Sequence, residues 1–324
     1  MGGRKLRIVV LEADSVGKDV SWKGLEKYGE LTTYDNTPDT KIAERIREAD
    51  IVVPNKCLLR KENMEGAHGL KLICEAATGY NNIDTDYCRE RGIVVTNARA
   101  YSTESVVQHT FAMLLQVLES LDYYADYVAS GEYSAGESFT KIGIPFHELH
   151  GMRMGIIGLG TIGRRVAEAA SAFGMEVVYF SASGRRYEVP YAAVDFDTLL
   201  ATSDVVSCHA PLTEQSRGLM NQEAFRKMKS SAIFLNLGRG AIVEEKDLVE
   251  ALEQGEIQAA ALDVFFREPM SSDSPLLRIK NRNRLFLTPH IAWSSVEARK
   301  RLVADVEKSI GAFLAGKPRS VVSG

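Results

Sequence analysis

Met154-Gly155-Ile156-Ile157-Gly158-Leu159-Gly160-Thr161-Ile162-Gly163 is an apolar, strand-like run that opens into a glycine-spaced turn. Residues 164–172 then carry helical periodicity. A G-x-G-x-x-G pattern alone is common; between a strand and a helix it predicts a phosphate-binding turn. Gly158 permits the tight turn, Gly160 lets a pyrophosphate approach the backbone, and Gly163 allows close helix–strand packing. The backbone N–H groups of Thr161 and Ile162 would face the phosphates at the positive end of the helix. A dinucleotide-binding α/β unit is therefore expected to begin near residue 153.

Outward from this turn, β-rich apolar runs alternate with helical segments, the pattern of parallel α/β sheets. The strand candidates before it are residues 7–11, 51–54, 70–75 and 93–96, with helices at 40–48 and 84–91. From the turn onward they are residues 153–157, 176–180, 205–208, 232–235, 259–262 and 285–287. A long helix is expected over 104–129 with Thr103 as its N-cap. It is apolar on more than one face, which points to burial between domains or subunits. A closing helix over 295–315 stops at Gly316 and Pro318. The fold class expected is α/β with two domains. One, 1–100 with 294–324, would bind substrate, and the other, 101–293, the dinucleotide. The closing helix would fold back onto the first.

A chain of 324 residues, 45% hydrophobic and 25% charged, suits two globular domains. Its net charge of −4 argues against nucleic acid or an anionic membrane as the main partner. The apolar run 6–11 is too short for a signal-peptide core, and Glu12 and Asp14 interrupt it. No stretch approaches the ~18 apolar residues that span a bilayer. Cys57, Cys74, Cys88 and Cys208 lack Cys-x-x-Cys spacing, so reduced thiols and a cytoplasmic location are expected.

The second strand of the nucleotide unit ends in Ser181-Ala182-Ser183-Gly184-Arg185-Arg186. An NAD site usually places Asp or Glu here to bind the ribose 2′-OH. Ser181 stands there instead, 18 positions beyond Gly163, and nothing repels a 2′-phosphate. Ser181 and Ser183 can donate to such a phosphate while Arg185 and Arg186 pair with it. NADP(H) is favoured slightly over NAD(H).

Three later segments place a polar residue just after an apolar strand: Arg239, Glu268 and His290. Reduction of a 2-oxo acid needs a cation for the carboxylate, an acid for the oxygen formed, and a hydride over the carbonyl carbon. Arg239 can bind the carboxylate bidentately. Histidine is the side-chain type whose unperturbed pKa lies near 7, so His290 suits acid/base duty. Glu268 would orient the imidazole. His68, His109, His147 and His150 lack metal-ligand spacing, and no metal site is expected. The His147–His150 pair reads as a surface turn.

Residues 158–163, His209-Ala210-Pro211-Leu212-Thr213, the Arg239 segment, Asp263 to Glu268-Pro269, and Pro289-His290 together resemble the D-isomer-specific 2-hydroxyacid dehydrogenases. The likeness covers nearly the whole chain. It implies a flavodoxin-like substrate domain plus a doubly wound nucleotide-binding domain, with the active site in the cleft and a homodimer as the usual assembly. It also implies that Arg239 binds substrate, Glu268 assists and His290 is the acid/base. Asp263 would hold the nicotinamide carboxamide. His209, Ala210, Pro211, Leu237 and Gly238 would line the cofactor. Asn55, Lys56, Thr78, Gly79 and Tyr101 match the substrate-binding segments. Thr78-Gly79-Tyr80-Asn81-Asn82-Ile83-Asp84 is most similar to bacterial glycerate dehydrogenases, also called hydroxypyruvate reductases. The alternatives are a broad-specificity dehydrogenase for larger 2-oxo acids and a dinucleotide-sensing, corepressor-like interaction protein.

Overall fold

The computed structural model describes residues 4–322. Residues 1–3 and 323–324, placed in the first domain by the sequence, lie outside the described residues. Two compact units result: Met1–Ser102 with Trp293–Gly324, and Thr103–Ala292.

The first unit holds a parallel sheet of β1 (Arg7–Val10), β2 (Glu30–Thr33), β3 (Ile51–Val53), β4 (Leu72–Glu75) and β5 (Val94–Asn97), in the order β2-β1-β3-β4-β5. That is the flavodoxin-like winding. Strand alternation decides both faces. Ile8, Val10, Val53 and Leu72 point into one core, which the helix Val296–Leu314 completes with Leu302, Val306 and Ile310. Val9, Val52 and Ile73 point into the other, against Ile42, Ile46 and Met64. Ser295 caps the closing helix by accepting from Ala298 N at 3.3 Å, and Gly316 follows its end at φ 72°. β2 was not among the strand candidates. Its Glu-Leu-Thr-Thr sequence lacks an apolar run because it is an edge strand, mostly exposed.

The second unit is built on β6 (Arg153–Ile157), β7 (Glu176–Phe180), β8 (Ala192–Ala193), β9 (Val205–Cys208), β10 (Ile233–Asn236), β11 (Ala259–Leu262) and β12 (Leu285–Leu287). They form one parallel sheet in the order β12-β11-β10-β9-β6-β7-β8. The winding direction reverses between β6 and β9, and ligands of open α/β sheets bind beside that reversal, at the carboxyl ends of the strands. The two-residue edge strand β8 was also missed by the strand candidates.

The single helix expected over 104–129 is two helices, Thr103–Leu118 and Leu121–Ala129. Ser120 breaks it by entering the left-handed region at φ 53°, with no glycine or proline to announce the break. Thr103 is the first residue of the helix rather than its cap. Thr103–Leu118 buries side chains such as Val106, Phe111 and Leu114, whereas Leu121–Ala129 buries none. All four cysteines are buried free thiols.

Candidate active site

In the second unit, the loops after the parallel strands line up along one edge of the sheet in strand order. The glycine turn follows β6. Gly158 sits at φ 93°, and a Cβ there would meet the backbone of Ala210 at 2.7 Å. A Cβ on Gly163 would lie 2.3 Å from the carbonyl oxygen of Gly158, so this glycine sets how closely the helix Thr161–Ala172 approaches the turn. Nothing lies within 4 Å of the corresponding point on Gly160, which caps that helix. The N–H groups of Thr161 and Ile162 belong to the first turn of this helix, where the helix itself offers them no carbonyl, as an anion cradle requires.

Two neighbouring turns pack onto this one. A Cβ on Gly238 would come within 2.8 Å of the Ala210 carbonyl oxygen, and Leu237 N donates to Cys208 O at 3.2 Å. Pro211 O accepts from Ser216 Oγ at 2.8 Å, which fixes the exit of the turn. His209 shares a hydrogen bond with Ser207 Oγ at 2.8 Å through Nε2, while its buried Nδ1 has no partner among the described residues. Burial pushes this imidazole down to about 4, so it is neutral at physiological pH. The glycine cradle and the orphaned His209 nitrogen fit a dinucleotide.

After β7, Ser181 and Ser183 join hydroxyls at 3.1 Å. Arg185 lies over the ring of Tyr187 at 5.1 Å, and Arg186 is exposed.

At the other end of the sheet, His290 Nδ1 is 2.6 Å from Glu268 Oε2, and Glu268 Oε1 accepts from Phe265 N at 3.0 Å. Both side chains keep partial exposure, 24% and 33%. Half-buried Arg239 follows β10, with Nη1 donating to Gly238 O at 2.8 Å. Asn236 closes this turn, donating to Arg239 O at 3.0 Å and accepting from Gly238 N at 3.1 Å. The turn after Arg239 presses on the loop that carries Glu268: a Cβ on Gly240 would fall 1.8 Å from the Phe265 carbonyl oxygen. Only glycine allows that approach. The structure therefore brings His290 and Glu268 into direct contact and seats the Arg239 turn against the same loop.

His290 adopts φ 54°, an uncommon backbone for a side-chain-bearing residue. Asp263, 1% exposed, holds it there. Its Oδ1 accepts from Thr288 Oγ1 at 2.7 Å and Ile291 N at 2.8 Å, and its Oδ2 from Ala292 N at 2.9 Å. The carboxylate brackets His290 on both sides. His109 Nε2 adds a contact to Thr288 Oγ1 at 3.0 Å. Sequence reasoning left His109 and Thr288 without a role, since no spacing rule links residues 179 positions apart.

In the first unit, the predicted substrate residues follow β3, β4 and β5. Glu12 Oε2 accepts from the backbone N–H groups of Asn55, Lys56 and Cys57 at 2.8–2.9 Å. Asn55 Nδ2 donates to Ala76 O at 2.6 Å. Thr78 Oγ1 donates to Ala98 O at 3.0 Å, and Gly79 follows it half-exposed. Tyr101 is buried edge-on to Trp293, with its carbonyl accepting from Arg301 Nε at 2.8 Å. Asn82 Nδ2 ties Glu75 Oε2 to Cys57 O, both at 3.1 Å. Asn82 belongs to the motif of residues 78–84 read in the sequence, whereas Glu12 and Glu75 were missed because isolated acids carry no pattern.

Residues 111–292 match the model for the D-isomer specific 2-hydroxyacid dehydrogenase, NAD binding domain. A hydroxypyruvate reductase from Blautia hydrogenotrophica is 38% identical, over 98% of this chain and 100% of that protein. D-lactate dehydrogenase from Aquifex aeolicus, solved with NAD and lactic acid, is 28% identical with a TM-score of 0.86, covering 98% of this chain and 99% of that one. An NADPH-dependent glyoxylate/hydroxypyruvate reductase from Sinorhizobium meliloti, solved with NADP and malonate, is 25% identical with a TM-score of 0.84, covering 98% and 97%. A nucleotide-binding sheet whose strand ends carry this arginine, glutamate and histidine, with such relatives along its whole length, places the chain in the D-isomer specific 2-hydroxyacid dehydrogenase family.

Proposed function

We propose that this dehydrogenase reduces a small 2-oxo acid of the hydroxypyruvate or glyoxylate type to the D-2-hydroxy acid. The observation that carries the reading is the His290–Glu268 pair beside the Arg239 turn. A nicotinamide dinucleotide, held by the turn of residues 158–163 and the segment 209–211, would supply the hydride when bound. The Arg239 guanidinium takes the substrate carboxylate and polarises the adjacent carbonyl. His290 donates the proton to the carbonyl oxygen, and Glu268 orients the ring. Asp263, which accepts from Thr288, Ile291 and Ala292, fixes the backbone around the acid; its remaining acceptor capacity, on Oδ2, is the contact for the nicotinamide carboxamide. Asn55, Lys56, Thr78, Gly79 and Tyr101 are the substrate contacts of the first unit, which serves as the substrate domain.

NADP(H) is the preferred cofactor in this reading, supported by Ser181, Ser183, Arg185 and Arg186 where a carboxylate would select NAD(H). The enzyme works in the cytoplasm as a homodimer. Support for the dimer comes from the helix Leu121–Ala129, which buries nothing, and from Phe139 and Ile142 beyond it, 91% and 88% exposed.

Hydroxypyruvate, glyoxylate, pyruvate and phenylpyruvate, each with NADH and NADPH, followed at the nicotinamide absorbance, test the proposal. Hydroxypyruvate or glyoxylate should give the highest kcat/KM, and His290→Ala should lower kcat by about 10²-fold or more while sparing cofactor binding. No turnover with any of the four acids, or full turnover by His290→Ala, rejects it.

A further inference from the structure

We propose that Arg164 and Arg185 form a two-armed clamp on the ring of Tyr187 that takes the 2′-phosphate of NADP(H), with Arg164 as a specificity-determining residue; this deepens, and rests on, the NADP(H) reading above. Arg164 lies just beyond the last glycine of the phosphate-binding turn, on the helix Thr161–Ala172. Its guanidinium carbon is 5.4 Å from the centroid of Tyr187, and that of Arg185 is 5.1 Å from the same centroid. A residue of the helix and a residue of the loop after β7 thus converge on one aromatic platform.

The platform is anchored. Tyr187 N donates to Tyr179 Oη at 3.1 Å, and the two rings meet edge to face at 6.0 Å. Tyr179 is 2% exposed and belongs to the sheet core, so Tyr187 inherits a fixed position. An aromatic face holds a guanidinium by cation–π attraction while leaving its planar N–H fork free for an anion.

Charge points the same way. Two like charges share one ring, and among the described residues neither is paired with a carboxylate; the nearby Glu188 bonds to neither. The adjacent Arg165 shows what an arginine of this helix does when its role is structural. It pairs with Glu104 at 3.0 Å and with Glu168. The first turn of the helix carries no acidic residue, so its own dipole adds to the positive field. Ser181 and Ser183 supply hydroxyl donors in the same loop. A phosphate monoester, with a charge of about −1.5 to −2 near pH 7, relieves the repulsion between the two arms. A plain 2′-hydroxyl does not. The pair therefore discriminates between the two cofactors.

The test is the dissociation constant of NADPH and of NADH, each measured by nicotinamide fluorescence for the parent, Arg164→Ala, Arg164→Lys and Tyr187→Leu, with 2′-AMP and 5′-AMP as competitors. The parent should bind NADPH and 2′-AMP more tightly than NADH and 5′-AMP. Arg164→Ala should weaken NADPH and 2′-AMP by about tenfold or more, the loss of one charge-assisted contact, and leave NADH within about twofold. Arg164→Lys should recover only part, and Tyr187→Leu should weaken NADPH selectively with both charges in place. A parent that prefers NADPH while Arg164→Ala changes neither cofactor overturns the clamp and leaves the NADP(H) reading standing. Equal weakening of both cofactors also overturns it. A parent that prefers NADH removes the underlying reading itself.

Discussion

His290 Nδ1 lies 2.6 Å from Glu268 Oε2, and the second oxygen of that carboxylate accepts from Phe265 N. Glu268 is thereby fixed before it fixes the histidine. One nitrogen of the imidazole is committed to the carboxylate. Glu268→Gln keeps the shape and removes the charge. Its kcat in the reduction direction should fall by about tenfold or more, because the ring loses the carboxylate that orients it, while cofactor binding is little changed. Steady-state kinetics of parent and variant read this directly, and an unchanged kcat would contradict the assignment.

Gly240 is the contact between the arginine turn and the glutamate loop. A methyl group there would overlap the Phe265 carbonyl, so one backbone must move. Gly240→Ala should destabilise the protein by about 1–3 kcal/mol. It should also raise KM for the 2-oxo acid more than it changes cofactor affinity. Denaturant titration and steady-state kinetics on the same preparation check both halves; a variant with parental stability would refute the packing argument.

Glu75 is 1% exposed at the end of β4, and one carboxyl oxygen has no partner. Burial raises it well above the ordinary carboxylate value, helped by nearby Glu12 and opposed by the Asn82 bond and Lys56. The folded state therefore holds a proton that the unfolded chain releases from about pH 4.3 upward. The contribution is fully present below that value and is lost as pH rises through the raised one. Glu75→Gln should flatten this fall. Unfolding free energies at pH 5 and pH 8 should diverge less in the variant than in the parent, and equal pH dependence in both would dismiss the idea.

Phe139 and Ile142 are two large, strongly exposed apolar side chains three positions apart. The double change Phe139→Asp and Ile142→Asp should convert a dimer to a monomer by light scattering, with secondary structure intact. A parent that is already monomeric, or a double variant that stays dimeric, rules out this surface as the interface.

Much of the nucleotide unit was legible in the sequence because it depends on local rules. A glycine-spaced turn between strand and helix follows a local rule, and short runs such as residues 154–157 and Val205–Cys208, bounded by turn residues, read as buried strands. Arg239, Glu268 and His290 stood out because each follows such a strand. The break at Ser120 and the edge strand β2 left no trace, since neither requires a special residue type or a buried face.

What only the tertiary structure decided is which groups meet. The bracket of Asp263 around His290, the press of Gly240 on Phe265, and the convergence of Arg164 and Arg185 on Tyr187 join residues from different strand ends. The physical reason is that hydrophobic periodicity fixes a residue's face and element, whereas hydrogen bonds and ion pairs act over a few ångströms. Those distances are set by how the strands are ordered in the sheet, an order that no stretch of sequence contains.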